Sequence, residues 1–299
     1  MITYKAQTAS GEIIKSALSP FSFPAGEAHI KREEQRELEP TEIAIIQSDA
    51  NSIHDDLFQL AMWNETVVDE LGYQTKRVLV LPYVPGARAD RGTPWGLDVY
   101  SSFINRMELD QIIVFDPHSE VTEELLGDEK WSGEHTLTVV HSDELFDQVH
   151  MRAVLNQYDG IIAPDKGAVK RATAMANLAK LPVFTATKHR DEGSGKLSGF
   201  AIDGLHSEGT YLIVDDICDG GGTFLGLAEA SGLGWGQLDL YVSHGVFSKE
   251  ALTNLSERFE YVYTTNSYAP TRELNTNGDI THDTFRRFDV IRLLLSKIK

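Results

Sequence analysis

Cysteine is almost missing from this 299-residue chain. Cys218 is the only one, so no disulfide can form within the chain and a reducing compartment suits it. Positive charge is scarce beside negative: 27 Lys and Arg stand against 45 Asp and Glu, for a formal net charge of -18. That balance disfavours a general nucleic-acid or anionic-membrane surface, because both partners are themselves polyanions. No uninterrupted apolar run approaches the ~18 residues of a membrane span. The opening Met1-Ile-Thr-Tyr-Lys-Ala-Gln-Thr lacks the apolar stretch of a secretory signal. These absences predict a cytoplasmic protein that binds neither nucleic acid nor membrane. Two nucleotide motifs are also missing. Gly195-Lys196 runs into Leu197 without the upstream glycine of a P-loop, and no Gly-x-Gly-x-x-Gly follows a strand-like run, which disfavours a dinucleotide-binding Rossmann domain.

What the chain does have is a recurring pattern of short apolar runs. They fall at Ile43–Gln47, Arg77–Leu81, Gln111–Phe115, Leu137–Val140, Gly160–Ala163, Val183–Thr185, Tyr211–Val214, Leu238–Val242 and Tyr261–Thr264. Near-continuous β-branched runs of this length suit strands buried on both faces. Between them, Ser52–Leu71, Ala168–Ala179 and Thr223–Ser231 repeat apolar residues at three- and four-residue intervals, and Phe285–Ile298 is expected to close the chain as a helix. The alternation predicts an α/β protein built of βαβ units with mostly parallel sheets. So many strands fit two tandem α/β domains better than one open sheet. The expected division is 1–145 for an N-terminal domain and 146–285 for a C-terminal one, with 286–299 as a terminal helix. The polar stretch Thr187–Phe200 reads as a long loop of the kind that often carries function.

The most informative segment is Tyr211-Leu-Ile-Val-Asp-Asp-Ile-Cys-Asp-Gly-Gly-Gly-Thr-Phe. An apolar strand ends in Asp215 and Asp216, passes Asp219 and opens a glycine turn before a helix. Ligands of open α/β sheets bind outside the carboxyl ends of strands, where this turn falls. Gly220, Gly221 and Gly222 let backbone amides point inward, and Thr223 adds a hydroxyl at the helix start, a nest suited to a phosphate monoester. Carboxylates only accept hydrogen bonds, so Asp215 and Asp216 suit sugar hydroxyls or Mg²⁺. Cys218 has no basic neighbour to activate it and is expected to pack.

This turn resembles the ribose-phosphate loop of the type I phosphoribosyltransferase fold. Further segments, in the same order, resemble the phosphoribosyl-pyrophosphate synthetase family: Ile45-Ile-Gln-Ser followed by Asp55-Asp-Leu-Phe-Gln-Leu, then Leu81-Pro-Tyr-Val-Pro-Gly-Ala-Arg-Ala-Asp-Arg, Phe115-Asp-Pro-His118, Ala163-Pro-Asp-Lys-Gly-Ala, Lys188-His-Arg190 and Ser243-His-Gly-Val-Phe-Ser. The resemblance implies an enzyme that moves a diphosphate from ATP to the C1 hydroxyl of ribose 5-phosphate. It implies that Arg88 and Arg91 hold the ATP phosphates, that His118 and Asp165 bind Mg²⁺-ATP with Asp116 as helper, and that Lys166 and Gly167 cradle the diphosphate. Lys188 and Arg190 would be the catalytic pair, with Asp215 and Asp216 the ribose ligands and Asp219 with Gly220–Thr223 completing the ribose-phosphate site around the 5′-phosphate. Asp165, following Pro164, equally suits a plain helix start.

The chain departs from the family at three places. The family usually has Phe-Ser-Asp-Gly-Glu contacting adenine from a neighbouring subunit; here the segment is Phe23-Pro-Ala-Gly-Glu27, which still implies a homo-oligomer with Phe23 and Glu27 in the ATP site but loses the Asp at Ala25. A Gln of the arginine loop is Ala89. The phosphate nest has Gly220 where Thr is usual. The last change opens space beside the 5′-phosphate, so ADP-ribose is an alternative acceptor. A phosphoribosyltransferase and a non-catalytic synthetase paralogue are the other readings; the first-domain segments speak against one, and the presence of Lys188, Arg190, His118 and Asp165 against the other.

Overall fold

The buried apolar runs become the central strands of two separate sheets. The computed structural model describes residues 1–49, 52–127, 136–147, 149–190, 197–268 and 284–299. Two compact units result: one spans Met1–Val140 and Ile291–Lys299 with a short stretch from Ser267, and the other runs from His141 to Asn266 and on to Val290. Among the described residues no helix is long and apolar enough to cross a membrane.

In the first unit the elements are β1 (Ile2–Gln7), β2 (Ile13–Lys15), β3 (Leu18–Ser22), β4 (Ala28–Arg32), β5 (Thr41–Ile46), α1 (Ile53–Leu71), β6 (Lys76–Leu81), α2 (Gly96–Asn105), β7 (Gln111–Phe115), α3 (Val121–Leu126) and β8 (Thr136–Val140). The six-stranded sheet has the order β2-β1-β5-β6-β7-β8. Strands β5 to β8 are mutually parallel, whereas β1 lies antiparallel to both β2 and β5. The burial follows the pairing. Residues of β5, β6 and β7 are almost all buried, whereas β1 alternates buried and half-buried positions, as expected near an antiparallel margin with one wetter face. Helix α1 turns Leu57, Leu60, Trp63 and Val67 into the core, and Trp63 stacks on Tyr4 with ring centroids 6.1 Å apart. Asp56 is structural, its Oδ1 accepting the Ile2 N–H at 2.7 Å.

The second unit holds α4 (Ser142–Phe146), α5 (Val149–Leu155), β9 (Gly160–Ala163), α6 (Val169–Ala179), β10 (Val183–Thr185), β11 (Thr187–Arg190), β12 (Leu197–Ala201), β13 (Tyr211–Cys218), α7 (Gly222–Ser231), β14 (Leu238–Gly245), α8 (Ala251–Ser256), β15 (Val262–Thr265) and β16 (Phe285–Phe288). Its sheet, β10-β9-β13-β14-β15-β16, is parallel throughout. The chain then returns to the first unit as α9 (Ile291–Leu295), where Gln111 accepts the Lys299 N–H at 3.1 Å and donates to Lys297 O at 3.0 Å.

Two expectations are corrected. The helix expected over 286–299 begins instead as strand β16, paired in register Val262↔Phe285, and only Ile291–Leu295 is helical. Phe285 and Phe288 sit three apart, a helical spacing, but in a strand that spacing places them on opposite faces. Phe285 meets Phe247 edge-on at 5.5 Å, and Phe288 stacks on Tyr263 at 5.9 Å. The loop expected over Thr187–Phe200 is a hairpin, β11 pairing antiparallel with β12; residues 191–196 lie outside the described residues.

Candidate active site

In the second unit the expected ribose-phosphate loop is built by backbone. Strand β13 runs past Asp215 and Asp216 to Cys218, held beside β14 by the pairs Asp215↔Val242, Ile217↔His244 and Cys218↔Gly245. The segment after β14 then clamps its end: the Val246 and Phe247 amides donate to Cys218 O at 2.9 and 3.1 Å, and the Ser248 amide to Asp219 O at 3.1 Å. Ser243–Ser248 thus supports the turn.

The three glycines are not equivalent. Gly221 has φ +77° and is the residue from which α7 starts, its carbonyl accepting the Phe224 and Leu225 amides at 3.0 and 3.1 Å. Only glycine adopts that left-handed backbone without penalty. Gly220 is exposed, is not among the left-handed residues, and a Cβ placed on it would meet no atom within 4 Å. Nothing in the fold requires glycine there. The same open surroundings hold at Gly222, the first residue of α7, and Thr223 follows half-buried.

Asp215 and Asp216 are a tight acidic pair. The Asp216 amide donates to Asp215 Oδ1 at 2.9 Å, and Asp216 is 5% exposed. Removal from water raises Asp215 well above the ordinary carboxylate range, the neighbouring Asp216 charge adds to this, and Arg171 opposes it. Arg171 was not among the expected site residues. It lies in the first turn of α6, where a cation is disfavoured by the helix dipole; a Lys170-Arg171 pair in such a place was the available signal that an anion compensates it. Cys218 is fully buried, and burial pushes its thiol up to about 12, with Asp219 and Asp215 adding to the effect, so it packs as expected.

The diphosphate segment joins β9 to α6. Asp165 Oδ1 accepts the Gly167 and Ala168 amides at 2.9 and 3.3 Å, closing the start of that helix, while Lys166 and Gly167 are exposed. The helix-start role is therefore real for one oxygen of Asp165. Lys188 and Arg190 lie on β11; their side chains are outside the described residues.

In the first unit, the arginine loop and the histidine element hang from the carboxyl ends of neighbouring parallel strands, β6 and β7. The arginine loop is folded on itself, with the Ala89 amide donating to Gly86 O at 2.8 Å and the Leu97 amide to Ala89 O at 3.1 Å. Gly86, at φ +74°, has no room for a side chain, because a Cβ would lie 2.6 Å from Tyr100 Cδ2. Ala89 packs toward the start of α2, where a Cβ on Gly96 would come within 3.0 Å of its own. Arg88 and Arg91 are exposed, and Arg91 Nε is 3.5 Å from Asp90 Oδ1. His118 is exposed; Asp116 is buried at φ +41° with its amide donating to Val140 O at 2.8 Å. A non-glycine residue held so, at a strand end, is the kind of backbone strain that gathers at functional sites. Phe23–Glu27 forms the turn of the β3–β4 hairpin, closed by Phe23 N–H to Glu27 O at 2.9 Å, with Phe23 46% exposed and stacked on His29.

No family model matches the chain. Curated relatives do. A ribose-phosphate pyrophosphokinase of Mesorhizobium japonicum is 26% identical over 285 residues, covering 88% of this chain and 86% of its own length. One from Pyrococcus furiosus is 28% identical over 250 residues, covering 82% and 84%. The crystal structure of phosphoribosylpyrophosphate synthetase from Mycobacterium smegmatis superposes with a TM-score of 0.75 over 94% of this chain and 89% of that one, at 19% identity. The chain is similar to these proteins over most of its length and shares the fold of the synthetase structure. The likeness runs through both units.

Proposed function

We propose that the chain transfers the β,γ-diphosphate of ATP to the C1 hydroxyl of ribose 5-phosphate, giving phosphoribosyl pyrophosphate and AMP. The observation that carries this reading is the end of β13: two acidic residues, then a left-handed Gly221 opening α7, in a chain whose curated relatives are named for this substrate. Asp215 and Asp216 accept the ribose hydroxyls, and the Gly220–Thr223 amides and the Thr223 hydroxyl take the 5′-phosphate. Lys166 and Gly167 receive the diphosphate. Arg88 and Arg91 hold the ATP phosphates with planar donor forks, and Phe23 and Glu27 flank the adenine of a neighbouring copy in a homo-oligomer. The C1 oxygen attacks the β-phosphorus in line, the bond to the bridging oxygen of AMP breaks, and the hydroxyl proton is lost to water. Lys188 and Arg190 stabilise the charge that gathers on the phosphoryl oxygens. Positioning and electrostatics supply the acceleration.

The residues suit a loosely held Mg²⁺. Among the described residues no three His, Cys, Asp or Glu side chains form a cage, and this ion prefers substrate phosphates and water with one or two protein groups. His118, and Asp165 through the carboxylate whose Oδ1 holds the helix start, are the groups that would do so. When bound, the ion neutralises phosphate charge.

A second acceptor is favoured by one observation. Gly220 is open and free of any backbone need for glycine, so a 5′-phosphate that carries a further group, as in ADP-ribose, meets no side chain there. Purified enzyme with ATP and Mg²⁺ should release AMP when given ribose 5-phosphate. AMP release only with ADP-ribose would keep the chemistry and change the acceptor, and release with neither would end both readings. Gly220→Thr should leave Tm within about a degree, as expected of an exposed surface change. If ADP-ribose is the acceptor, it should selectively lower turnover with that substrate.

A further inference from the structure

We propose that Phe200 is a positioning residue that seats the β11–β12 hairpin on α7, and that Gly226 is glycine in order to receive it. The inference rests on the reading of Lys188 and Arg190 as the catalytic pair. Glycine is a poor choice for a helix interior, since it loses more backbone freedom on folding than alanine. Gly226 sits inside α7 (Gly222–Ser231) at an ordinary helical backbone, with no turn or left-handed angle to require it. What requires it is a ring. A Cβ on Gly226 would lie 2.9 Å from Phe200 Cε2 and 3.4 Å from Cδ2, closer than carbon atoms pack.

Phe200 belongs to β12 and is half-buried against the core of the second unit, which includes Phe224 and Leu227 of α7. In the hairpin its register partner is Lys188. Backbone pairing therefore ties the position of residue 188 to that of residue 200, and the Phe200 ring ties residue 200 to the helix. That helix begins at the Gly220–Thr223 turn, so one rigid element carries the phosphate turn at its start and the seat of the hairpin at its middle. Shifting the ring should move β11 relative to that turn, leaving the sugar-phosphate amides in place.

The test is a set of variants assayed with ATP and ribose 5-phosphate, or with ADP-ribose if that is the acceptor used. Phe200→Ala and Gly226→Ala should each lower kcat by about ten- to a hundredfold, the scale of an ångström-sized misplacement, with KM for the sugar phosphate nearly unchanged. Phe200→Leu, which keeps a large apolar group, should retain most of the turnover. The double variant Phe200→Ala/Gly226→Ala should be no worse than Phe200→Ala, because the added methyl then meets no ring; contacting residues couple in this way. Hydrogen exchange should speed up at the β11 and β12 amides in Phe200→Ala and not at β13. Normal kcat in Phe200→Ala and Gly226→Ala, beside a Lys188→Ala variant that has lost turnover, would overturn the positioning role alone, as would losses that multiply in the double variant. Full turnover in Lys188→Ala would remove the catalytic reading of the hairpin and this inference with it.

Discussion

The glycine turn of the second unit and the arginine loop of the first, the two anion sites proposed above, are two different kinds of surface. At the turn, the proposed donors are backbone amides, and the backbone that carries them is held by a left-handed Gly221, by the end of β13 and by the clamp from Val246, Phe247 and Ser248. Beside it the acidic pair is taken out of water. In the arginine loop the backbone is just as folded, through Gly86 and Ala89, but the charges at its tip stand in solvent. A site made of buried backbone and desolvated charge is coupled to stability; a site made of exposed side chains is not. The same substitution strategy should therefore give opposite balances of lost function and lost fold in the two regions.

The largest effect is expected at the acidic pair. Asp215→Asn should lower turnover by about ten- to a hundredfold, the cost of a mismatched buried hydrogen bond to a substrate hydroxyl. Yet it should raise Tm. The folded-state carboxyl is pushed up, so the folded protein holds a proton that the unfolded chain has already lost, and stability falls as pH rises from the ordinary carboxylate range toward the raised value. Removing the acid removes that penalty, so the gain should be seen in thermal melts at neutral pH and vanish at about pH 3, below both values. A variant that melts lower than the parent at neutral pH would show that Asp215 is held by partners stronger than its desolvation. Gly221→Ala comes next. Forcing a side chain into the left-handed region costs about 1–2 kcal/mol, read in denaturant melts, and weaker sugar-phosphate binding should accompany it.

On the other side of the comparison, Arg91→Ala should raise KM for ATP by roughly three- to tenfold, in line with one exposed charged contact, and leave Tm unchanged. A drop in Tm would mean that its approach to Asp90 supports the loop. Smallest of all, iodoacetamide should leave activity intact, because the only thiol is buried and protonated at neutral pH.

Much of this architecture is legible in the sequence. The parallel strands were readable because each is a short, unbroken apolar run, and such runs have few alternatives to a sheet covered on both faces. The acid-rich turn was readable because strand, carboxylates, glycines and helix start are contiguous. The margins were not. β1 alternates and carries Lys5, β2 is only three residues long, β4 mixes Ala28 and Ile30 with His29, Lys31 and Arg32, and the β3–β4 hairpin holds Pro20, so none has a strong local signal. β11 is polar, β12 contains Gly199, and Gly193 and Gly195 fall between them, which is how a loop is also written.

By itself, then, the sequence determined the α/β class, the two-unit plan, the packed Cys218 and the location of the acidic turn, because these depend on contiguous residues and on the period of burial. Only the tertiary structure decided that Phe285–Phe288 is a strand, since a four-residue piece with phenylalanines three apart suits either form until hydrogen bonds to β15 choose. It alone separated Gly221 from Gly220, one set by a backbone angle and the other by nothing around it. It also gave Gly226 its reason, a ring from a strand far along the chain, because the space around a side chain is a property of its neighbours.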